Sequence, residues 1–317
     1  MKRAITRVTT ALLGVVLFSS IAWSAEPYRV GYNNWIGYVA LFVAQEKGYF
    51  AEEGIDLQLS SFSAPGEGLK PLLNGDLDAH MTTADSVIIA LDKAPGQLKI
   101  VYLTDTSSGA DAIVARKGIA KVEDLKGKTV AATVGECNEL LLSLALEKSG
   151  MTEADVNLTN MNPDDAGAAF AAGKLDAAVT WEPWITQVAA EEKGHVIFSS
   201  ADVPNLILDV VAISTKTAKQ KPELTRKFIR ALNKANELAM KDPAQASKLA
   251  AKALEMKPAE IAEMLPKVTL YGAAENKKQM SGAAREPSAQ IAEFFHAKGV
   301  NGSVVEVDGI YDASWLD

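Results

Sequence analysis

Asp209 interrupts an apolar run, Leu206 to Ile213, that is otherwise typical of a buried strand. A carboxylate in such a strand needs a partner or a ligand, because burying an unpaired charge is costly. We therefore expect Asp209 to face a binding cleft, where it would attract a positively charged group. The alternative is a structural ion pair between Asp209 and a Lys or Arg across a hinge.

Two further carboxylates, Glu136 and Glu139, flank Asn138 at the start of a predicted helix, Cys137 to Lys148. The free backbone N–H groups of a helix start attract anions, and these side chains satisfy the same field. They would repel an anionic solute by several kcal/mol at an effective dielectric constant of about 20. The turn therefore favours a cationic or zwitterionic ligand, although ordinary helix capping in solvent explains the same residues.

Aromatic and polar side chains accompany these acids. Trp35 follows Asn34 after the first predicted strand, and its ring is suited to stacking on a planar or cationic group. We expect Asn34 to hydrogen-bond with the solute and Trp181 to form the opposite wall, although packing within the fold would explain Trp181 as well. Asp105 and Asp111 flank a polar segment where a strand ends, and we expect one of them only to cap a turn.

One motif occurs twice, in the stretches Gly75 to Asp85 and Gly173 to Trp184. Each contains G-x-L-D-A, a short apolar run, and then Thr with an acidic residue close behind. The Gly is typical of a helix end, the apolar run predicts a buried strand, and a new helix begins after the Thr. Open α/β sheets bind ligands where strands end and helices begin. We expect four residues to form the two lips of a cleft: Thr83, Asp85, Trp181 and Glu182.

Strands and helices alternate along the chain, and the order starts again near residue 115. This β-α-β-α-β order predicts mostly parallel sheets covered by helices, and thus an α/β fold of two Rossmann-like lobes. We place the first lobe at residues 26–114 and 213–317, and an inserted second lobe at residues 115–212. Crossover strands near Ala115 and Leu208 would form a hinge beside a ligand cleft.

The first 25 residues are typical of a secretory signal peptide. Lys2, Arg3 and Arg7 form a basic start, and Ala11 to Phe18 is apolar but too short to span a bilayer. Small residues then offer a cleavage site. We therefore expect this segment to be cleaved and the mature chain to be exported.

The composition argues against several classes of function. Removal of the signal takes the formal net charge from -8 to -11, because residues 1–25 hold three basic residues and no acidic one. So acidic a chain is poorly suited to bind nucleic acid. Cys137 is the only cysteine, so an internal disulfide is impossible. His80, His195 and His296 lack metal-ligand spacing, and we expect neither a metal nor a cofactor.

Several segments resemble a known family. They are Ala44 to Ile55, which contains Glu-Lys-Gly-Tyr-Phe, Leu125 to Lys128, the Trp-Glu-Pro-Trp segment Trp181 to Trp184, and both G-x-L-D-A stretches. Together they resemble the periplasmic solute-binding proteins of ABC importers for nitrate, sulfonates, taurine and thiamine precursors. The resemblance covers most of the mature chain.

This resemblance implies a type II periplasmic-binding-protein fold, in which two lobes close on a solute without catalysis. It also implies delivery of the solute to a transmembrane ABC permease with a cytoplasmic ATPase, and we expect a monomer. The chain departs from the sulfonate binders of the family at Gly135 to Glu139, where those proteins carry Ser, Thr and His.

These observations favour a small nitrogenous solute, cationic or zwitterionic, such as a guanidine- or amine-like molecule. The alternative within the class is an anionic solute (an aliphatic sulfonate, taurine or nitrate) or a thiamine-precursor pyrimidine. A remote alternative is an enzyme similar to the thiamine-pyrimidine synthases, with Cys137 as nucleophile. No His or Lys is evidently placed as its base. The candidate ligand-binding residues are Asn34, Trp35, Thr83, Asp85, Asp105, Glu136, Asn138, Glu139, Trp181, Glu182 and Asp209.

Overall fold

The computed structural model describes residues 26–316, and the predicted signal peptide lies outside the described residues. Within that range the strands are β1 (Glu26–Asn33), β2 (Ile55–Phe62), β3 (Ala79–Thr83), β4 (Leu98–Ser107), β5 (Asp111–Ala115), β6 (Thr129–Ala132), β7 (Asn157–Asn160), β8 (Ala177–Trp181), β9 (His195–Ser199), β10 (Leu208–Ser214) and β11 (Val268–Leu270). The α-helices are α1 (Val39–Glu46), α2 (Tyr49–Glu52), α3 (Leu69–Asn74), α4 (Ala84–Lys93), α5 (Cys137–Lys148), α6 (Pro163–Ala171), α7 (Trp184–Ala190), α8 (Thr215–Gln220), α9 (Pro222–Lys241), α10 (Pro243–Ala250), α11 (Pro258–Met264), α12 (Ala273–Lys278) and α13 (Arg285–Ala297).

These strands form two sheets. The first sheet has the order β11-β4-β10-β3-β1-β2, and the second has the order β7-β6-β8-β5-β9. β1 is parallel to β2 and β3, and β6 is parallel to β7 and β8. By contrast, β10 is antiparallel to β3 and β4, and β5 is antiparallel to β8 and β9. The sheets are therefore more mixed than the strand-helix alternation predicted, because the strands that follow each crossover run against their neighbours.

The inner strands of both sheets are covered on both faces. Every residue of β3, β5, β8 and β10 is buried, as expected for strands between two helical layers. Successive residues point to opposite faces, so Val210 and Val211 pack in different hydrophobic clusters of the first sheet. Ile113 and Val114 do the same in the second sheet. Each sheet thus has a core on either side.

The chain crosses between the sheets twice. It leaves the first sheet after Ser107, enters the second at Asp111, and returns between Ser199 and Leu208. Both crossings lie a few residues before the boundaries that we placed at 114/115 and 212/213. The behaviour of the two sheets as separate lobes about a hinge stays a prediction. None of the helices within residues 26–316 is long and apolar enough to cross a membrane.

Candidate functional site

Strand ends of both sheets meet at one cleft. On the first sheet, Asp209 in β10 lies between Thr83 at the end of β3 and Asp105 near the end of β4. On the second sheet, Asp111 at the start of β5 pairs with Trp181 at the end of β8. Such edges are where open α/β sheets hold ligands. The fold therefore brings residues from distant parts of the chain to one place.

A small cavity of about 10 Å³ lies between these strand ends. That volume holds about one water molecule, so an organic solute requires the cleft to open or its side chains to move. Four of the predicted site residues line the cavity: Trp35, Thr83, Trp181 and Asp209. The other lining residues are Asn33, Pro65, Asp111, Cys137 and Ile207.

Trp35 and Trp181 contact each other across the cleft. Their ring centroids are 6.2 Å apart with an interplanar angle of 55°, which is ordinary for a packed aromatic pair. The indole N–H of Trp35 donates to Asp105 Oδ1 at 3.0 Å, and that of Trp181 donates to Asp164 Oδ1 at 2.8 Å. In this conformation the two rings pack against each other and join the two sheets. The gap between them is too narrow for a solute, as expected for the packing role considered as the alternative for Trp181.

The contact between Trp35 and Asp105 depends on Gly37. This residue lies in the short turn Ile36–Tyr38 that follows Trp35. A Cβ at position 37 would lie 2.3 Å from Asp105 Oδ2 and 2.4 Å from Trp35 Nε1. Only glycine lets the carboxylate and the indole approach the backbone so closely.

Asp105 and Asp209 are buried like charges on neighbouring strands. Trp35 holds one oxygen of Asp105, and the hydroxyl of Tyr38 donates to Asp209 Oδ1 at 2.8 Å. Burial raises the pKa of both carboxyls well above the ordinary aspartate value, and the charge of Asp105 raises that of Asp209 further. The two carboxyls therefore resist simultaneous ionisation.

Three more carboxyls near this pair have raised pKa values. Burial raises the pKa of Asp85 to about 6 and that of Asp111 to about 7. Burial, followed by the charge of Asp85, raises the pKa of Glu136 to about 8. Glu136 Oε1 accepts a hydrogen bond from the Gly66 amide at 3.2 Å, which links the second sheet to the first. We call the following residues the acidic cluster: Asp85, Asp105, Asp111, Glu136 and Asp209.

The acidic cluster has no basic partner in the part of the chain that the structure describes. None of its members forms an ion pair with a Lys, Arg or His there, and each has one buried carboxylate oxygen without a hydrogen-bond partner. The structural ion pair considered for Asp209 is therefore not formed. Within residues 26–316, no group of three or more His, Cys, Asp or Glu side chains is arranged to hold a metal ion.

Glu139 and Glu182 lie away from the cavity and are bound to other groups. Glu139 Oε2 accepts from the Gly135 amide at 2.6 Å, and its other oxygen lies 3.7 Å from Lys298 Nζ. Glu182 is buried, pairs with Lys267 near β11, and accepts from the Thr186 amide and hydroxyl at 3.1 and 2.9 Å. Both side chains therefore link the two sheets, and Glu182 also accepts from the first turn of α7. Their predicted contact with the solute stays untested.

The structure places Asn33, and not Asn34, at the cavity. Asn34 is exposed, whereas Asn33 is 2% exposed and its Oδ1 has no hydrogen-bond partner. Asn33 ends β1, where its alternation with Tyr32 turns its side chain inward. Counting this alternation from the apolar Tyr28 and Val30 selects Tyr32, so the strand pattern did not point to Asn33. Tyr38, also missed, gave no signal in the sequence either.

Asn138 and Cys137 begin α5 beside the acidic cluster. The side-chain N–H₂ of Asn138 is buried without a hydrogen-bond partner, and its Oδ1 lies 3.9 Å from Cys137 Sγ. Burial raises the pKa of Cys137 well above its usual value, and the neighbouring carboxylates raise it further. The thiol is thus held protonated, which is the opposite of an activated nucleophile.

Comparison with known proteins identifies the family. The NMT1/THI5-like family model matches residues 35–246 of the chain. The chain belongs to this family. Several of its relatives carry informative names. A putative binding protein of Brucella abortus (strain 2308) is 28% identical over 262 residues, which cover 81% of this chain and 79% of the relative.

Two other relatives of this NMT1/THI5-like chain differ in their named activities. The taurine-binding periplasmic protein of Escherichia coli (strain K12) is 27% identical, over 66% of this chain and 68% of its own length. A 4-amino-5-hydroxymethyl-2-methylpyrimidine phosphate synthase of Saccharomyces cerevisiae is 24% identical, over 71% of this chain and 67% of its own length. The relatives of this chain thus include both proteins named for binding and one named as an enzyme.

Solved structures share the fold of this family member. The alkanesulfonate-binding protein SsuA from Xanthomonas axonopodis pv. citri, bound to MOPS, superposes with a TM-score of 0.74. It is 22% identical, and the match covers 90% of this chain and 98% of that protein. The predicted periplasmic-binding-protein fold is confirmed.

Proposed function

We propose that this chain is the substrate-binding component of an ABC import system, located in the periplasm. The cleft carries the proposal, because strand ends of both sheets converge there on buried polar groups that lack partners. Its two sides touch through Trp35 and Trp181, through Glu136 and Gly66, and through Glu182 and Lys267. A closed cleft of this kind suits a protein that encloses a solute and later releases it.

The partners in this proposal are a small solute and a transmembrane permease with its cytoplasmic ATPase. The relatives named as binding proteins support this assignment, and the predicted signal peptide is consistent with export. The lobes would separate to admit the solute and close on it for delivery.

The relatives support the anionic alternative better than the cationic solute expected from the sequence. One is named for taurine, and a structure of the same fold is an alkanesulfonate-binding protein. The buried, unpartnered N–H₂ of Asn138 is a donor suited to a sulfonate oxygen. We therefore propose a solute of the sulfonate or taurine kind. The acidic cluster forms no ion pair within the described residues, and this observation favours a solute that also carries a positively charged group.

We propose no catalysis for this chain. The enzyme alternative has a yeast relative in its favour, but it needs an activated Cys137. The protonated, buried thiol among carboxylates argues against that role.

Calorimetry on the mature chain tests the proposal. The panel comprises taurine, alkanesulfonates, nitrate, guanidine and thiamine-precursor pyrimidines. We expect saturable binding of at least one member, together with a smaller radius of gyration in X-ray scattering. The absence of binding across the panel, or turnover of a bound compound, would contradict the proposed function.

A further inference from the structure

The acidic cluster is arranged around the cavity and not scattered over the surface. Asp111 and Asp209 line the cavity, and Asp105 lies beside Asp209 on the neighbouring strand. Each of the three is no more than 2% exposed. Each also keeps Oδ2 without a hydrogen-bond partner. Two buried acceptors thus line the cavity, from β5 and β10, and a third lies beside them on β4.

Asn33 gives an independent indication of a ligand. It is a neutral residue from β1, so the electrostatics of the carboxylates do not explain its position. Its side chain lines the same cavity, is 2% exposed, and has an unpartnered Oδ1. Buried amide oxygens are rarely left without a donor. The cavity is therefore surrounded by acceptors on both charged and neutral side chains.

The chemistry of these atoms selects the kind of group that fits. When the carboxyls are ionised, a donor of hydrogen bonds satisfies these acceptors, and a positive charge favours that ionised state by removing the repulsion between the carboxylates. An anionic group would itself be repelled by the carboxylates. A metal ion is a poor fit, since the described residues offer no grouping arranged to bind one. An ammonium or guanidinium group supplies several N–H donors and the charge together.

The backbone amides at the start of α5 also argue against an anion at this point. Helix starts attract anions, but Asp85 and Glu136 already stand beside this one. The backbone amide of Cys137 favours the ionised form of Asp85, and Glu139 holds the Gly135 amide. The positive end of the helix is thus satisfied by the protein's own carboxylates.

We infer that Asn33, Asp105, Asp111 and Asp209 form a binding site for a protonated nitrogen group of the solute, an ammonium or a guanidinium. This inference rests on the proposed function and specifies which end of the solute enters the cavity. The aromatic pair formed by Trp35 and Trp181 closes over that group and shields it from water. A zwitterionic aminosulfonate such as taurine and a simple organic cation both carry the required group.

Calorimetric titrations of four probes near pH 7.5 distinguish a zwitterionic aminosulfonate from a simple organic cation as the solute. Taurine carries both charges, ethanesulfonate carries only the sulfonate, and ethylammonium and guanidinium carry only the nitrogen cation. We expect at least one nitrogen-bearing probe to bind at least tenfold more tightly than ethanesulfonate. Binding of taurine but not of the simple cations identifies a zwitterionic solute, and the reverse identifies a cation.

Substitution of Asp209→Asn tests the site itself, with Asp56→Asn on the exposed start of β2 as the matched control. We expect D209N to weaken the nitrogen-bearing probe at least tenfold and D56N to change its affinity less than twofold. Circular dichroism verifies folding, and D111N replaces D209N if the latter is unfolded.

Three results overturn the inference. They are ethanesulfonate binding as tightly as the best nitrogen-bearing probe, no binding of any nitrogen-bearing probe, and unchanged affinity in a folded D209N variant. If ethanesulfonate binds with lobe closure, the proposed function survives and only the cation site is refuted. If the wider panel and the four probes all fail to bind, both are refuted.

Discussion

Asp105 and Asp209 lie opposite each other on antiparallel strands β4 and β10, and each keeps one buried oxygen without a partner. Like charges in such cross-strand positions destabilise a sheet. Trp35 and Tyr38 each donate one hydrogen bond to the pair, but neither brings a positive charge. The protein without solute therefore carries an electrostatic cost that a cationic group would remove.

Asp111→Asn is expected to stabilise the solute-free protein at neutral pH. Burial raises the pKa of Asp111 from the ordinary 3.8 to about 7. Between these two pH values the folded protein therefore binds more protons than the unfolded chain. Stability from this group is thus full below about pH 4 and is lost as the pH rises through about 7, by at most about 4 kcal/mol. D111N removes that loss.

Thermal unfolding at pH 5 and pH 8 measures this effect. We expect the advantage of D111N over the natural chain to grow between the two pH values, while the exposed control D56N shows no such growth. If the stabilities of D111N and the natural chain change equally with pH, burial does not raise the pKa of Asp111, and the prediction is contradicted.

Gly37→Ala is expected to displace Asp105 or Trp35. The new methyl group would lie within 2.4 Å of both side chains, so one of them must shift. We expect a loss of solute affinity of at least tenfold, measured by calorimetry on a variant that remains folded. Gly272→Ala is the control, because its Cβ would meet neighbours at an ordinary 3.6 Å. Natural affinity in a folded G37A would contradict the proposed place of Asp105 in the site.

Lys267→Met is expected to favour the open protein. It removes the only cation that pairs with buried Glu182 among residues 26–316, and that pair joins the two sheets. A hydrogen bond to a charged group contributes about 1.5–3 kcal/mol, so solute affinity should fall about tenfold or more.

Lys257→Met supplies the comparison for that variant. Lys257 pairs with Glu260 on the exposed surface, where such pairs contribute at most about 1 kcal/mol. X-ray scattering should show a larger radius of gyration for K267M without solute and no change for K257M. Equal affinities and radii of gyration in the natural chain, K267M and K257M would show that the pair of Glu182 and Lys267 does not hold the cleft closed.

Cys137 is expected to react slowly with thiol reagents in the folded protein. The thiol is 2% exposed and its pKa is raised, so little thiolate is present at neutral pH. With the cleft closed on its solute, labelling with a chromogenic disulfide should become rapid only after unfolding. Cys137→Ser should keep the solute affinity within a few-fold, whereas loss of a measured turnover on that change would revive the enzyme alternative.

The local sequence predicted the framework of the site well. Helix α5 begins and ends at the predicted residues, Cys137 and Lys148, because its apolar positions and acidic first turn are local signals. The charge of Asp209 within an apolar run correctly indicated a buried carboxylate, as burial at 2% exposure shows. Such features depend on neighbours in the chain and can be predicted without the fold.

The partners of charged side chains could not be predicted in this way. Glu136 and Glu139 looked equivalent in the sequence, but Lys298 reaches Glu139 alone, and Lys267 reaches Glu182; both lysines come from more than eighty residues away. These lysines are placed by the packing of helices and by β11, for which the sequence carries no local pairing signal. Which acid stays unpaired is therefore a property of the tertiary structure.

The pH dependence of solute affinity tests the central claim most directly. In the acidic cluster, the pKa values of Asp85, Asp105, Asp111 and Glu136 lie between about 6 and about 8, and burial raises the pKa of Asp209 as well. Tyr38 and Cys137, with their raised pKa values, stay protonated. A nitrogen cation requires ionised carboxylates, so its calorimetric affinity should rise across this range with release of protons to the buffer. Affinity that falls as the pH rises, with proton uptake on binding, would indicate an anionic group in the cavity and contradict the account.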